Sequence, residues 1–428
     1  MNKKLLLGMA LVGSMAFYSC SNYEGQEQDL NEGAEQVITL AVANGNNIAT
    51  RAGRPLLSSE AGQTIENVVL YIVNSADNKI VQTLTFDDWQ TEAADYRKDD
   101  GKFKNIVLNT KLENGNYEIF AVGYHEGSSY GEITNQLVSG GKFKENAVLT
   151  LSTDGSAEEI FAGSVAEFSV EKEKGFKKSV VLNRQVAGVF VYVKDIPYIE
   201  GAAKLRLVGS GENNQLVLGH FANLDLDNNG TGNSITKAVV NGATSGKAFD
   251  KVLTEVNLSE WFTNITPDEN NLISTGNNYD NWKKPEFSGV TTQPTFEKGS
   301  VFGGAFVIPF AKVESNQTLT LQLTNSGNGV LRSWKVNLPT TPQYTLYTWD
   351  GSAFIGGTSV TENKNSYNIV RNNLYGIGER PSNNPGEGGV DPDPDPENPD
   401  QPTPLNNKHE LELIVNDNWE VIHNMEIE

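Results

Sequence analysis

The chain has 428 residues, a formal net charge of -21 and a hydrophobic content of 38%. That apolar content is too high for a disordered chain, and the length suits two ordinary domains better than one. The acidity excludes nucleic acid as a partner, because phosphate binding needs a basic surface.

The first residues, MNKKLLLGMALVGSMAFYSC, begin with Lys3 and Lys4 and continue with an apolar run from Leu5 to Phe17. That run is too short to span a bilayer as a stable helix. Cys20, the single cysteine of the chain, follows directly. The pattern over residues 1–20 resembles a bacterial lipoprotein signal, cleaved before the cysteine and lipidated on its sulfur. An ordinary secretory signal with an incidental cysteine is the alternative. In both cases the folded part has no disulfide.

Residues 21–51 carry the first predicted strand. VITLAVA, 37–43, alternates Ile38, Leu40 and Val42 against Val37, Thr39 and Ala41, the period of a half-buried strand. IATRAGRPLLSSEAGQ, 48–63, follows with two arginines among small and polar residues. Exposed segments of that composition are easily cut. Arg51–Ala52 suits an arginine-specific protease, whereas Pro55 protects Arg54. A cut at Arg51 would detach the anchor and VITLAVA together, emptying the groove that held Ile38, Leu40 and Val42.

Period-two runs then dominate: ENVVLYIV (66–73), KNIVLNT (104–110), NYEIFAVGYH (116–125), NAVLTLS (146–152) and KKSVVLNR (177–184). A second set comprises VAGVFVYVK (186–194), AKLRLVG (203–209), KVLTEVNL (251–258), FGGAFVIP (302–309), TLTLQLTN (318–325) and VLRSWKVNL (330–338). No window carries a long 3.6-residue period, so the fold class is all-β, most simply two β-sandwiches. The boundary falls near Asn183–Gln185, giving domains over 52–184 and 185–380 with no linker between them. The Asn-, Gly- and Asp-rich stretches 224–241 and 263–294 read as long loops.

Residues bearing recognisable chemistry are few. Asp225, Asp227, Asn229 and Gly230 fit the start of a calcium loop, but its twelfth position is Thr236 in place of glutamate, and a surface turn is the ordinary reading. Trp261 and Trp282 could stack on a sugar, with packing the plainer role. His125, His220, His409 and His423 lack metal-ligand spacing, and no nucleotide or hydrolase motif is present. No catalytic residue, metal or cofactor is therefore expected, and the reading is non-enzymatic.

From Gly378 the composition changes to GERPSNNPGEGGVDPDPDPENPDQPTP. The Asp/Pro stretch 381–404 should be extended, reaching on the order of 70 Å at about 3.1 Å per residue. Residues 405–428 then return to alternation, with Leu411, Leu413, Val415, Trp419 and Val421 on one face and Asp417 and His423 interrupting it. Such a strand needs a groove. It can fold back onto its own domain, or it can enter a neighbouring copy by strand addition. The reach of the Asp/Pro stretch favours the second.

The order of these features resembles that of a fimbrillin, the type V pilin family that builds the major subunits of Bacteroidetes fimbriae. The resemblance runs over essentially the whole chain. It rests on the lipoprotein signal, the arginine site after the first strand, RQVAGVFVYV, RNNLYGIGE (371–379), and the L-x-L-x-V-x-x-x-W-x-V tail. It implies two tandem transthyretin-like β-sandwiches followed by a C-terminal donor strand on an acidic, Pro-rich linker. It implies lipidation at Cys20, transport to the outer membrane, and removal of the first strand at Arg51 by an arginine-specific protease. It further implies polymerisation at the cell surface, with the donor segment Leu411 to Val421 entering the groove of the next subunit. The implied partners are other copies of the chain and related pilins, the protease, the outer membrane before processing, and a surface receptor on host or bacterium. The rivals are a tip adhesin, an anchor subunit, and a surface lipoprotein that binds glycan or protein without polymerising.

Overall fold

The period-two runs are strands in the computed structural model. It describes residues 35–42, 65–89, 95–97, 101–125, 128–144, 146–152, 157–209, 214–218, 226–227, 235–236, 238–243, 251–273, 279–286, 296–310, 319–337, 344–360, 368–378, 402–406, 410–412 and 414–416. The first half contains β1 (Gln36–Val42), β2 (Asn67–Asn74), β3 (Lys79–Phe86), β4 (Asp95–Arg97), β5 (Gly101–Val107) and β6 (Gly115–Tyr124). The short helix α1 (Ile133–Leu137) follows, then β7 (Val138–Ser139), β8 (Lys142–Phe143), β9 (Ala147–Thr150), β10 (Phe161–Val170) and β11 (Phe176–Arg184).

These strands hydrogen-bond in the order β4-β5-β1-β11-β10-β6-β2-β3-β8-β7. β10 and β11 pair only at Phe161–Arg184 and Ala162–Asn183. Beyond that corner the two arms fold over one another. Ile38, Leu40, Val180 and Leu182 from one arm meet Val68, Leu70, Ile119 and Phe161 from the other in a shared core. The corner is tight: a Cβ on Gly163 would lie 2.0 Å from the Val181 carbonyl oxygen. Only glycine permits that approach.

β2 is buried on both faces. Val68, Leu70 and Ile72 enter the core just described, whereas Val69, Tyr71 and Val73 enter a second one on the outer face. This explains why NVVLYIVN is a continuous apolar run without clean alternation. Phe120 and Phe143 stack in the outer core with centroids 4.2 Å apart. Burial, reinforced by Tyr124, pushes the Tyr71 phenol up to about 12.

The second half contains β12 (Ala187–Lys194), β13 (Lys204–Gly209), β14 (Gln215–Leu218), β15 (Leu226–Asp227), β16 (Ile235–Thr236), β17 (Ala238–Val240), β18 (Gly242–Ala243) and β19 (Lys251–Asn257). After α2 (Leu258–Trp261) come β20 (Val301–Val307), β21 (Leu319–Thr324), β22 (Val330–Asn337), β23 (Tyr344–Trp349), β24 (Phe354–Val360) and β25 (Leu374–Ile377). The last described strands are β26 (Thr403–Pro404), β27 (Glu410–Glu412) and β28 (Ile414–Asn416). One sheet runs β20-β12-β25-β28 and the other β19-β13-β21-β22-β27. Between them lies a core that includes Val189, Val191, Leu205, Leu321, Leu323, Trp334 and Val336.

The two stretches read as loops are more structured than their composition suggests. Within 224–241, β15 pairs with β16, and β17 runs parallel to β23 with Val239 and Val240 buried. Within 263–294, Leu272 bridges Pro197, Ile273 bridges Pro267, and Trp282 bridges Phe262. Single apolar residues, above all Ile273, tie this polar stretch to the core.

The halves share structure. β14 pairs antiparallel with β9 of the first half. Val186, Leu216, Leu218 and Ile308 from the second half complete the outer core of the first. At the passage from β11 to β12, Arg184 and Glu159 form an ion pair with each side chain only 1% exposed. Arg184 Nε donates to Glu159 Oε1 at 2.7 Å, and its guanidinium lies over the Phe161 ring. Gln185 Oε1 accepts from Arg371 Nη1 at 2.9 Å and from Asn241 Nδ2 at 3.2 Å. RQVAGVFVYV and RNNLYGIGE, distant in sequence, are therefore neighbours, with β12 parallel to β25. The approach at Gly376 is close: a Cβ there would lie 2.0 Å from the Phe190 ring, so a larger residue would have to displace that ring.

Removing one partner of a buried ion pair leaves an uncompensated charge and costs about 3–5 kcal/mol. Glu159→Ala is expected to lower stability by that amount in urea unfolding, and adding Arg184→Met to recover much of it. An unchanged midpoint for Glu159→Ala would show that the pair does not hold the junction.

Candidate functional site: the first and last strands

β1 lies inside the first-half sheet, with a partner on each side. It pairs parallel with β11 from Gln36–Phe176 to Val42–Leu182, and antiparallel with β5 from Val37–Val107 to Val42–Lys102. Among the described residues β5 and β11 do not pair with each other, and β1 alone connects the β4–β5 arm to the rest of the sheet. Ile38 and Leu40 are 0% exposed, as their parity predicts, and they pack with Val68, Leu70 and Ile119. Val42 continues the same parity on the backbone of β1.

Polar contacts fix the register. Gln36 is 1% exposed; its Nε2 donates to the Leu112 carbonyl at 3.2 Å and its Oε1 accepts the Leu112 N–H at 2.7 Å. The main chain adds Leu108 N–H to Gln36 O at 2.9 Å. Thr39 Oγ1 donates to Asn105 Oδ1 of β5 at 2.7 Å. Sequence reasoning did not single out Gln36. A glutamine one step before an alternating run gives no sign that its amide will satisfy a backbone N–H and C=O far along the chain.

The energetics define a groove. Full burial of an aliphatic side chain contributes about 1.5–3 kcal/mol, so Ile38 and Leu40 together account for roughly 3–6 kcal/mol. A domain's net stability is only about 5–15 kcal/mol. Loss of β1 would therefore open an apolar slot lined by Val68, Leu70 and Ile119 and leave two unpaired edges facing each other. Such a slot has a strong tendency to take up another alternating strand.

The last segment divides between the two sheets of the second half. β27 pairs parallel with β22, setting Leu411 beside Val336. β28 pairs antiparallel with β25, setting Val415 beside Tyr375. Each is a three-residue strand. Of the two placements open from sequence, the structure has the fold-back onto the chain's own second half. It does not bring Leu411 or Val415 to β1. Cys20, Arg51, Leu413, Trp419 and Val421 lie outside the described residues, as does Asp225. Asp227 and Thr236 sit on the β15–β16 hairpin. Trp261 is buried edge-on against Phe296 at 5.1 Å, and Trp282 donates its indole N–H to the Ser300 carbonyl at 2.7 Å. Both tryptophans serve packing.

No protein-family model matches the chain, and no curated protein sequence matches it either. Solved structures similar to it include a fimbrial assembly protein from Parabacteroides distasonis, at 9% identity and a TM-score of 0.34, covering 79% of this chain and 99% of that one. The fimbrial anchor protein Mfa2 from Porphyromonas gingivalis is 11% identical with a TM-score of 0.31, over 79% of this chain and all of its own, 100%. The tip fimbrial protein Mfa3 from the same organism, in a C-terminally truncated form, is 11% identical with a TM-score of 0.37, over 82% of this chain and 97% of that one.

Leu40→Ala, which removes a buried side chain from β1, is expected to destabilise the first half by about 2–5 kcal/mol. Thr39→Ala, on the opposite parity, should change stability by less than about 1 kcal/mol. Equal effects of the two in denaturant unfolding would contradict the placement of β1 in the core.

Proposed function

We propose that this chain is the structural subunit of a cell-surface fimbria, exported as a lipoprotein and polymerised by strand exchange after proteolysis. The observation that carries this reading is the position of β1. It is a central strand, with Ile38 and Leu40 fully buried, yet it belongs to a short N-terminal segment that ends in the arginine-bearing stretch 48–63. A cut at Arg51 would make β1 a separate peptide held only by non-covalent contacts. Anchored at Cys20, that peptide would remain with the outer membrane while the rest of the chain assembled.

The replacement strand is the C-terminal segment of another copy, with Leu411, Leu413 and Val415 in the places of Ile38, Leu40 and Val42. Its in-chain site is the weaker one. Among the described residues, β27 and β28 are each held along one edge by three-residue ladders, whereas the seven-residue β1 is paired on both sides. Moving the tail from two short edges into a two-sided slot gains main-chain hydrogen bonds and buried aliphatic surface. Before the cut, β1 occupies the slot and exchange is blocked.

The in-chain pairing of residues 410–416 favours one second reading: a subunit that retains its tail, as a tip, anchor or solitary surface lipoprotein. One experiment separates the two. Protein beginning at residue 21 is treated with an arginine-specific protease, its new N-terminus is read by mass spectrometry, and the product is run unboiled on a denaturing gel. A start at Ala52 with a heat-dissociable ladder is expected, and Leu413→Asp should permit the cut but abolish the ladder. A clean cut that leaves only monomer selects the second reading. A ladder persisting after truncation at Asn406 rules out the tail as donor.

A further inference from the structure

β12 is flanked by β20 along its length, from Ala187–Val307 to Val193–Val301. Its other side is covered in two pieces. β25 runs parallel beside Gly188 to Val191 and ends with Ile377 opposite Val191. β26, also parallel, sets Thr403 opposite Val193 and Pro404 opposite Lys194. Since β20 already occupies one side at Val193, β26 must lie on the side of β25. The two behave as a single interrupted strand. Strand residues rise by about 3.3 Å each, so Ile377 and Thr403 stand roughly 7 Å apart along one edge.

The return is firmly held. The Leu405 N–H donates to the Lys194 carbonyl at 2.9 Å, and the Leu405 side chain is 0% exposed in the second core. Pro402 is buried as well. Residues 379–401, with their Asp-Pro repeats, lie outside the described residues.

We propose that Leu405 is a positioning residue for strand donation, the fixed pivot from which the donor segment departs. The proposal rests on the assembly reading above. The donor's reach is then set by residues 407–428, on the order of 70 Å if extended, and the acidic stretch contributes nothing to it. Closure of a loop depends only weakly on its length, so shortening that stretch should leave the pivot intact.

Two measurements test this. In uncleaved protein beginning at residue 21, the Leu405 amide should exchange with deuterium at least about a hundredfold more slowly than an unstructured amide. Leu405→Asp should abolish that protection at Thr403 and residue 405, and Leu405→Met should restore it. Exchange at the unstructured rate in the parent protein overturns the pivot. In the second measurement, residues 380–400 are replaced by a short Gly-Ser turn. After protease treatment the heat-dissociable ladder and the axial repeat in negative-stain images should match the parent. A shorter repeat, or loss of the ladder while Leu405 stays protected, overturns the proposal by showing that the acidic stretch supplies reach. If the parent itself forms no ladder, the assembly reading fails, and the exchange result alone decides whether Leu405 anchors the tail.

Discussion

A strand paired on both edges cannot leave a sheet without opening two ladders and unroofing the core beneath it. β1 is such a strand, and the first half is organised around that fact. Among the described residues, β11 on one side and β5 on the other are joined in the sheet only through β1. Gln36 at its start locks the register, because a shift by one residue would turn Ile38 and Leu40 out of the core. A peptide so placed is structurally central, and the proposed cut at Arg51 would leave it held by non-covalent contacts alone. On the proposed assembly, those two properties together would let one proteolytic cut convert a stable fold into a receptive one.

A receptive groove is useful only if the rest of the molecule stays folded while it is open. In the proposed processed state the junction would supply that resilience. β2 is buried on both faces, and its outer face is covered in part by Leu216, Leu218 and Ile308 of the second half. The β9–β14 ladder and the buried network of Arg184, Glu159, Gln185, Asn241 and Arg371 join the halves through main chain and side chains alike. Buried polar groups gain geometric specificity when their partners are in place. Here they fix the direction in which β12 leaves β11, and thus the orientation of one half against the other.

Much of this architecture is legible in sequence because strand parity is a local property. VITLAVA, KKSVVLNR and TLTLQLTN show which side chains enter a core, and the structure buries Ile38, Leu40, Val180, Leu182, Leu321 and Leu323 accordingly. Parity fails where a strand is irregular or buried twice. β10 was not foreseen, since its register shifts between Val165 and Phe168 and changes which residues face inward. β17 is three residues inside a polar stretch, with only Val239 and Val240 to betray it. The partners of Gln36 and the meeting of Gln185 with Arg371 are long-range, and no local pattern encodes them.

The same limit applies to the tail, and it changes how the acidic stretch should be understood. Composition alone makes residues 381–404 a spacer, because Asp-Pro repeats extend and repel. Only tertiary structure reveals that Thr403 resumes the edge that Ile377 leaves, and that Leu405 closes it with a hydrogen bond to Lys194. A segment with both ends fixed at one edge cannot lengthen the arm that follows it, however stiff it is. In the proposed exchange, reach would then come from the residues after Leu405, whose sequence alternation also suits a groove. If the tail is donated as proposed, length and complementarity would reside in the same residues, and β26 would mark where the donor segment begins.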